Sequence, residues 1–447
     1  MLTENPKTSK EIKKPSFHEA FWFWLKLGFI SFGGPAGQIA IMHEFLVVKK
    51  KWISDSRFLH ALNFTMILPG PEAQQLATYT GWMLHGTKGG LVAGIFFILP
   101  SMFILLGLSS LYVTFGNIPW VYAMFEGLKP AIIAIVILAL IKIGKKSLHT
   151  IFHLLIAGAA FVCIFFLNIP FPIIIIVALL LAFIIRKLAP SMLTQTTAAI
   201  QQQALDEGNY YINDKSVLGD CRFLVSRLAK QVLYTFGIWI IPLGIFHLFS
   251  HDFEFWKELS LFFTKAAFVT FGGAYAVLPY VAQVSVEQLG WLTELQMIDG
   301  LALGETTPGP LVMVLVFVGF MAGYNHYGGS LIMGSIGLVA TALYTFVPCF
   351  LFIFVGAPLI EKTRDNVKIK QALNVVTAAV VGVILNLTIY LGKAVIFPKE
   401  LVLSQIDFIT LGWIATSFIA MYRFKVNMLV WIAASALFGL IKYLVLQ

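Results

Sequence analysis

Charge is what this sequence has least of. Of its 447 residues, 12% are charged, about half the share of an ordinary soluble domain. So few charges cannot solvate the surface of a soluble protein of this length. Cysteine is scarce as well. Cys163, Cys221 and Cys349 lie far apart with no CxxC spacing, which excludes a disulfide framework and a zinc site. The chain has no HExxH, no GxSxG and no clustered His with Asp, so a membrane-embedded enzyme has no obvious starting point. It has no GxxxxGK[ST] loop, which disfavours ATP-driven transport. Nothing implies a cofactor or a metal.

In place of charge there is apolar length. Residues 131–141, 151–167 and 173–185 are near-continuous apolar runs within a chain that is 59% hydrophobic. They are too many for a globular core and imply an all-α polytopic membrane protein. The net charge of +9 would raise nucleic acid as a partner of a soluble protein. Here the lysines and arginines cluster at segment ends, as the positive-inside bias demands, and the expected partner is the lipid bilayer.

A repeat organises the chain. Ser31-Phe32-Gly33-Gly34-Pro35 is followed by Trp52 and by Pro69-Gly70-Pro71. Adding 239 to these numbers gives Phe271-Gly272-Gly273, Trp291 and Pro308-Gly309-Pro310 in the same order. Lys26 and Lys265 stand at matched positions upstream. An ungapped recurrence of two helix-breaking clusters, a Trp and a lysine signals duplication.

Read in order, residues 1–16 form a polar, lysine-rich tail, expected to be cytoplasmic and retained. The first repeat spans 17–188. Its segment 17–48 breaks at Gly33-Gly34-Pro35, with Lys10, Lys13 and Lys14 before it and Lys49, Lys50 and Lys51 after it. A re-entrant hairpin keeps both clusters inside, whereas a broken through-span exports one of them. Segment 57–85, broken at Pro69-Gly70-Pro71, has the same design. Trp52 between them suits an interfacial anchor. Four spans come next, at 90–115, 119–143, 148–167 and 170–185. Residues 189–227 are polar and read as a cytoplasmic linker. An extra span in 228–250 reverses the orientation of the remaining chain. The second repeat, 251–447, therefore runs inverted, with hairpins 253–288 and 294–324 and spans near 329–358, 370–391, 408–422 and 427–445. Lys362, Arg364, Lys368 and Lys370 then fall inside, as do Arg423 and Lys425, and the C-terminus falls outside. A homodimer is left open.

Inverted repeats with interrupted helices build secondary transporters, with the substrate near the midplane. A helix restarting after Gly33-Gly34-Pro35 or Pro69-Gly70-Pro71 offers free backbone N–H groups and the positive end of its dipole. Four such starts favour an anion. Lys26 and Lys265 sit in apolar stretches and supply cationic charge, or else snorkel to the interface. Gln74, Gln75, Thr306 and Thr307 flank the Pro-Gly-Pro breaks and can donate to oxyanions. Glu72 and Glu305 would repel an anion if charged. They are proton carriers, protonated when the anion is bound, or partners of the two lysines; Glu72 equally suits the N-terminus of a helix. His43-Glu44, Asp55, Arg57, Asp299 (at the place of His60) and Lys129-Pro130 (matched locally by Asn374) give weaker signals.

At these residues the sequence resembles the chromate ion transporter family in its long form with two homologous halves. The resemblance rests on Phe32-Gly33-Gly34-Pro35, Trp52 and Leu68-Pro69-Gly70-Pro71-Glu72-Ala73-Gln74-Gln75. In the second half it rests on Phe271-Gly272-Gly273, Trp291-Leu292-Thr293 and Glu305-Thr306-Thr307-Pro308-Gly309-Pro310. It covers the chain apart from tail and linker. Ala274 departs from it, standing where the first half has Pro35. The resemblance implies an inner-membrane carrier that exports chromate, with sulfate as a related or exchanged anion. The alternatives are a carrier or channel of the same fold for another anion, or a carrier for a cation or neutral solute.

Overall fold

The breaks at Gly-Gly and Pro-Gly-Pro divide each half into short helical arms. The structure is a computed structural model describing residues 14–32, 34–66, 68–188, 210–213, 216, 225–250, 252–271, 273–360, 367–397 and 406–446. Gly33, Gly272, the first thirteen residues, most of the linker, Lys362 and Arg364 lie outside the described residues. In the first half, α1 (Phe17–Ile30) leads to α2 (Gly34–His43), which widens into a π-helical turn, Glu44–Lys49. Then α3 (Asp55–Thr65) leads through Pro69-Gly70-Pro71 into α4 (Glu72–Phe115). A kink with non-helical dihedrals at His85 and Gly86 divides α4 into a returning arm and a full span.

The ends of both hairpins meet. Lys50 Nζ donates to Glu19 at 2.7 Å, tying the end of the first hairpin to its start. His43 Nε2 lies 2.6 Å from Asp55, and His85 Nε2 lies 2.9 Å from the Pro15 carbonyl. The chain therefore folds back to the place where each hairpin starts, the hairpin shape implied by lysines on both flanks. The second half repeats this with α9 (Phe253–Val269), α10 (Ala274–Ala282), a π-helical turn at Gln283–Gln288, α11 (Glu294–Thr306) and α12 (Val314–His326). His326 Nε2 meets Asp252 at 2.5 Å and the His326 ring stacks on Phe255.

The repeat extends to single hydrogen bonds. The two π turns are 239 residues apart, and each is followed by a Trp whose N–H donates back at 2.8 Å, Trp52 to Leu46 and Trp291 to Ser285. Both indoles are buried, Trp52 edge-on to Phe23 and Trp291 among Phe255, Phe262 and Phe263. Trp52 is thus a packing element of its hairpin and not the expected interfacial anchor. A wide flat ring fills the gap that the π turn opens beside α1.

The remaining helices are α5 (Pro119–Ser147), α6 (Ile151–Phe165), α7 (Phe171–Leu188), α8 (Val225–Phe249), α13 (Leu331–Ile360), α14 (Val367–Ile396), α15 (Phe408–Tyr422) and α16 (Met428–Leu446). Six helices among the described residues are long and apolar enough to cross a membrane. The matched helices α6 and α15 have 15 residues each, about 22 Å at 1.5 Å per residue. That is shorter than a hydrocarbon core of about 30 Å.

The repeats are not packing units. Helix α5 packs against α15 and α16 of the second half, while α14 packs against α6 and α7 of the first. This exchange is reciprocal, and α5 and α14 pack on each other. Small residues permit it: a Cβ on Gly127 would lie 2.6 Å from the Cα of Gly439. Helix α8, which has no counterpart, lies at the periphery against α9 and α13 and exposes Leu233, Ile241 and Leu248.

One piece of the linker is not a free connector. Ile212 is buried, pairs its backbone with Trp52 and Ser54, and is followed by carbonyls of Asn213 and Ser216 that accept from the Arg57 guanidinium at 3.1 and 2.9 Å. The polar composition around it concealed this strap, whose attachment is made by backbone groups and by Ile212 with Tyr210 and Tyr211 packed beside it.

Candidate functional site

The two Pro-Gly-Pro turns place their glycines at φ +125° (Gly70) and +105° (Gly309), where a side chain is strained. This conformation turns each glycine N–H towards the other half. Gly70 N–H donates to the Thr270 carbonyl at 2.7 Å, and Gly309 N–H donates to the Ser31 carbonyl at 2.8 Å. Thr270 is the repeat partner of Ser31, and Gly309 of Gly70. Each half thus closes the break of the other through the same backbone bond.

Side chains fasten the junction. Gln38 Nε2 donates to the carbonyls of Gly309 (2.5 Å) and Ser31 (3.2 Å). Gln75 Nε2 donates to the Pro69 carbonyl at 2.6 Å, and the Ser101 hydroxyl donates to the Pro308 carbonyl. A Cβ on Gly70 would lie 2.7 Å from Cys349 Sγ, and one on Gly309 would overlap Ser101 Oγ. Ser101 and Cys349 each follow the proline of a span, Pro100 in α4 and Pro348 in α13. Each Pro-Gly-Pro turn is therefore backed by the other half's span.

The helices that start at these breaks lack caps. Pro71 before α4, Gly273 before α10 and Pro310 before the 3-10 turn Leu311–Met313 carry no side-chain cap. By contrast, side chains of Ser16, Ser54, Thr150, Asp252, Thr293 and Asp407 cap α1, α3, α6, α9, α11 and α15. Orphan N–H groups and positive dipole ends are thus left at the junction, where an anion can take the place of a cap.

Two carboxylates stand at the start of α10. Glu305 is buried and accepts from Tyr275 Oη at 2.5 Å. Glu72 comes within 3.9 Å of a Cβ placed on Gly273. The Tyr275–Glu305 bond also links the second half's two breaks, so all four breaks are joined through named contacts. The first half has Ala36 and Met66 at the matching positions.

The sequence-selected lysines are placed differently. Lys26 and Lys265 are exposed. Lys26 Nζ lies 5.9 Å from the Phe45 ring, and Lys265 lines a cavity of 570 Å³ with Glu254, Lys257, Glu258 and Gln283. Among the described residues no ion pair joins either lysine to Glu72 or Glu305.

The side-chain donors are largely engaged. Gln74 Nε2 donates to Thr78 at 3.2 Å, and the hydroxyls of Thr306 and Thr307 donate to the Leu303 carbonyl at 2.9 and 2.6 Å. Pro35 follows the first residue of α2 and is partly exposed, whereas Pro71, Pro308 and Pro310 are buried. Sequence reasoning therefore located the backbone breaks and missed Gln38, Ser101, Cys349 and Tyr275. Ser31 and Thr270 accept through their backbone carbonyls, which no side-chain pattern announces, while their hydroxyls donate to the carbonyls of Leu27 and Ala266.

Comparison with known proteins agrees with this architecture. The family model for chromate transporters matches residues 18–184 and 257–440. A chromate transport protein of Cupriavidus metallidurans is 27% identical, over 94% of this chain and 92% of its own length. One of Pseudomonas aeruginosa is 28% identical, over 97% and 94%. A probable chromate transport protein of Synechococcus elongatus is 28% identical, over 83% of each. No solved structure matches the chain. The two matched regions fall one on each repeat and each includes a Gly-Gly and a Pro-Gly-Pro break, so the chain belongs to the chromate transporter family.

Proposed function

We propose that the protein is a secondary carrier that exports a tetrahedral dianion, chromate or the related sulfate, across the inner membrane by alternating access. The observation that carries this reading is the reciprocal bonding of Gly70 to Thr270 and Gly309 to Ser31 around uncapped helix starts. Symmetry-related bonds between halves give two equivalent closures, one for each side of the membrane. Opening one while keeping the other alternates access to one site.

In this reading the backbone around residues 33–35, 69–71, 272–274 and 308–310 binds the oxygens. Glu72 and Glu305 stay protonated through the cycle, so that neither carboxylate repels the dianion. Lys26 and Lys265, exposed beside the hairpins, attract the anion towards the junction and do not coordinate it. The first half's hairpin ends, the linker and the N-terminus face the cytoplasm; the second half's hairpin ends and the C-terminus face outward.

The test is flux of labelled sulfate and of chromate in proteoliposomes. A carrier shows saturation and acceleration by anion on the far side. Lys26→Gln and Lys265→Gln are expected to lower flux at low salt and to matter less at high salt. Absence of both fluxes in the wild type would reject the oxyanion reading. Flux without stimulation from the far side would favour a channel.

A further inference from the structure

Away from the breaks, α11 brings another carboxylate into the apolar interior. Asp299 is 5% exposed. Its Oδ2 accepts from Tyr112 Oη of α4 at 2.9 Å, and its Oδ1 is buried with no hydrogen-bond partner among the described residues. Lys129 of α5 faces it, with a side chain only 4% exposed. The Lys129 ammonium pairs with Glu126 one turn earlier and lies 5.5 Å from the Tyr122 ring. Among the described residues Lys129 and Asp299 form no ion pair; Lys129 bears on Asp299 as a buried charge on the neighbouring helix, since α5 packs on α11. The titratable groups around Asp299 are Tyr112 of α4 and Tyr122, Glu126 and Lys129 of α5; none comes from α12, α14 or α16, the other helices packed on α11.

Lys129 lies ten residues into α5, or about 15 Å along it, half the thickness of a hydrocarbon core. Ionisable groups at that depth are costly and persist where they serve transport. The repeat does not carry the carboxylate: His60 stands 239 residues before Asp299. Two carboxylates face one ammonium, so the cluster carries an excess negative charge. Adding a proton to the Asp299 carboxylate removes it and leaves the Lys129 ammonium held by Glu126. Asp299 is also six residues from Glu305 on the same helix, about 9 Å, so its charge state bears on the arm that ends in Pro308-Gly309-Pro310.

We propose that Asp299, held by Tyr112 and opposed by Lys129, is a proton-binding site that couples oxyanion movement to proton movement. The proposal rests on the carrier reading above and adds the coupling ion and its station, separate from the oxyanion site.

The test uses the full chain in proteoliposomes with a pH-sensitive dye inside. It compares proton movement per oxyanion under a sulfate gradient with labelled sulfate exchange at equilibrium. In the wild type, protons are expected to move with sulfate. Asp299→Asn is expected to keep exchange and to lose proton movement per oxyanion by about tenfold or more. Wild-type coupling in that variant overturns the proposal, as does wild-type sulfate flux without proton movement, which leaves the carrier reading intact. Absence of any sulfate flux in the wild type removes the carrier reading and this inference with it. If Asp299→Asn loses exchange too, the double variant Asp299→Asn with Lys129→Gln decides, since it removes the buried ammonium together with the carboxylate on the neighbouring helix. Exchange without proton movement there supports the proposal; absence of exchange makes the cluster a structural pair and overturns it.

Discussion

At Gly309 a hydrogen atom in place of a methyl group decides whether the halves can close. Gly309→Ala meets Ser101 Oγ, and Gly70→Ala meets the Gln75 amide and Cys349. Both also carry a backbone strain of about 1–3 kcal/mol, because φ is positive. Each is expected to lower sulfate flux about tenfold or more in protein that still inserts into the membrane. Ser101→Gly should recover only part of the Gly309→Ala loss, since it relieves the contact and not the dihedral strain. Full recovery would show that strain at this turn is unimportant. Glycine and proline act on their own backbone, which is why these turns were legible in the sequence. Lys26 was less so. On α1, Trp24, Leu27 and Gly28 face the packed side and Lys26 the exposed one. Apolar neighbours in sequence do not tell which face of a helix is packed when lipid surrounds it.

The hairpin shape of the first arms was legible at the scale of elements because lysines flank both ends of the first hairpin. The Glu19–Lys50 pair gives that inference a shape. Single cysteines at Ser16→Cys and Lys50→Cys are expected to react with an impermeant thiol reagent from the same side of oriented vesicles. Cysteines replacing Ser250 and Tyr327 should react from the other side. Labelling of residues 16 and 50 from opposite sides would make the segment a through-span. The second half's hairpin ends are tied by His326 and Asp252, and that hydrogen bond holds the Asp252 carboxyl below its ordinary value of 3.8. A depressed carboxyl stabilises the fold above its unfolded value and ceases to do so as pH falls through the folded one. The thermal midpoint of the wild type should therefore drop towards that of Asp252→Asn as the medium is acidified below about pH 4. A gap between the two that is constant with pH would show that the tie contributes nothing. No sequence pattern announced this contact, since its partners are 74 residues apart.

The whole molecule departs most from the sequence picture in how its repeats combine. Duplication could be read from spacing; the exchange of α5 and α14 between halves could not, because helices of similar apolar composition do not encode their neighbours. The exchange makes the halves interdependent. Fragments cut within residues 190–209 and produced together are expected to co-purify and to carry sulfate, and neither alone should do so. Flux from a single fragment would contradict the shared junction. The mouths also differ in charge. At the ends of the first half's hairpins Lys14, Lys49, Lys50, Lys51, Arg57 and Lys88 outnumber Glu19, Glu44 and Asp55, whereas at those of the second Asp252, Glu254, Glu258, Glu287 and Glu294 outnumber Lys257. For a dianion the first mouth attracts and the second repels, so entry from the lysine side should be the more sensitive to ionic strength.

The backbone bond between Gly70 and Thr270 also constrains how the protein is made. Two hundred residues separate donor from acceptor. At a synthesis rate of about 5–20 residues per second, the Gly70 amide waits roughly 10–40 s for its partner. Until then the Pro69-Gly70-Pro71 break keeps an amide without its partner, a group that lipid cannot satisfy. A ribosome paused in the linker would thus hold a half-built chain in the form that membrane proteases and insertases are equipped to detect.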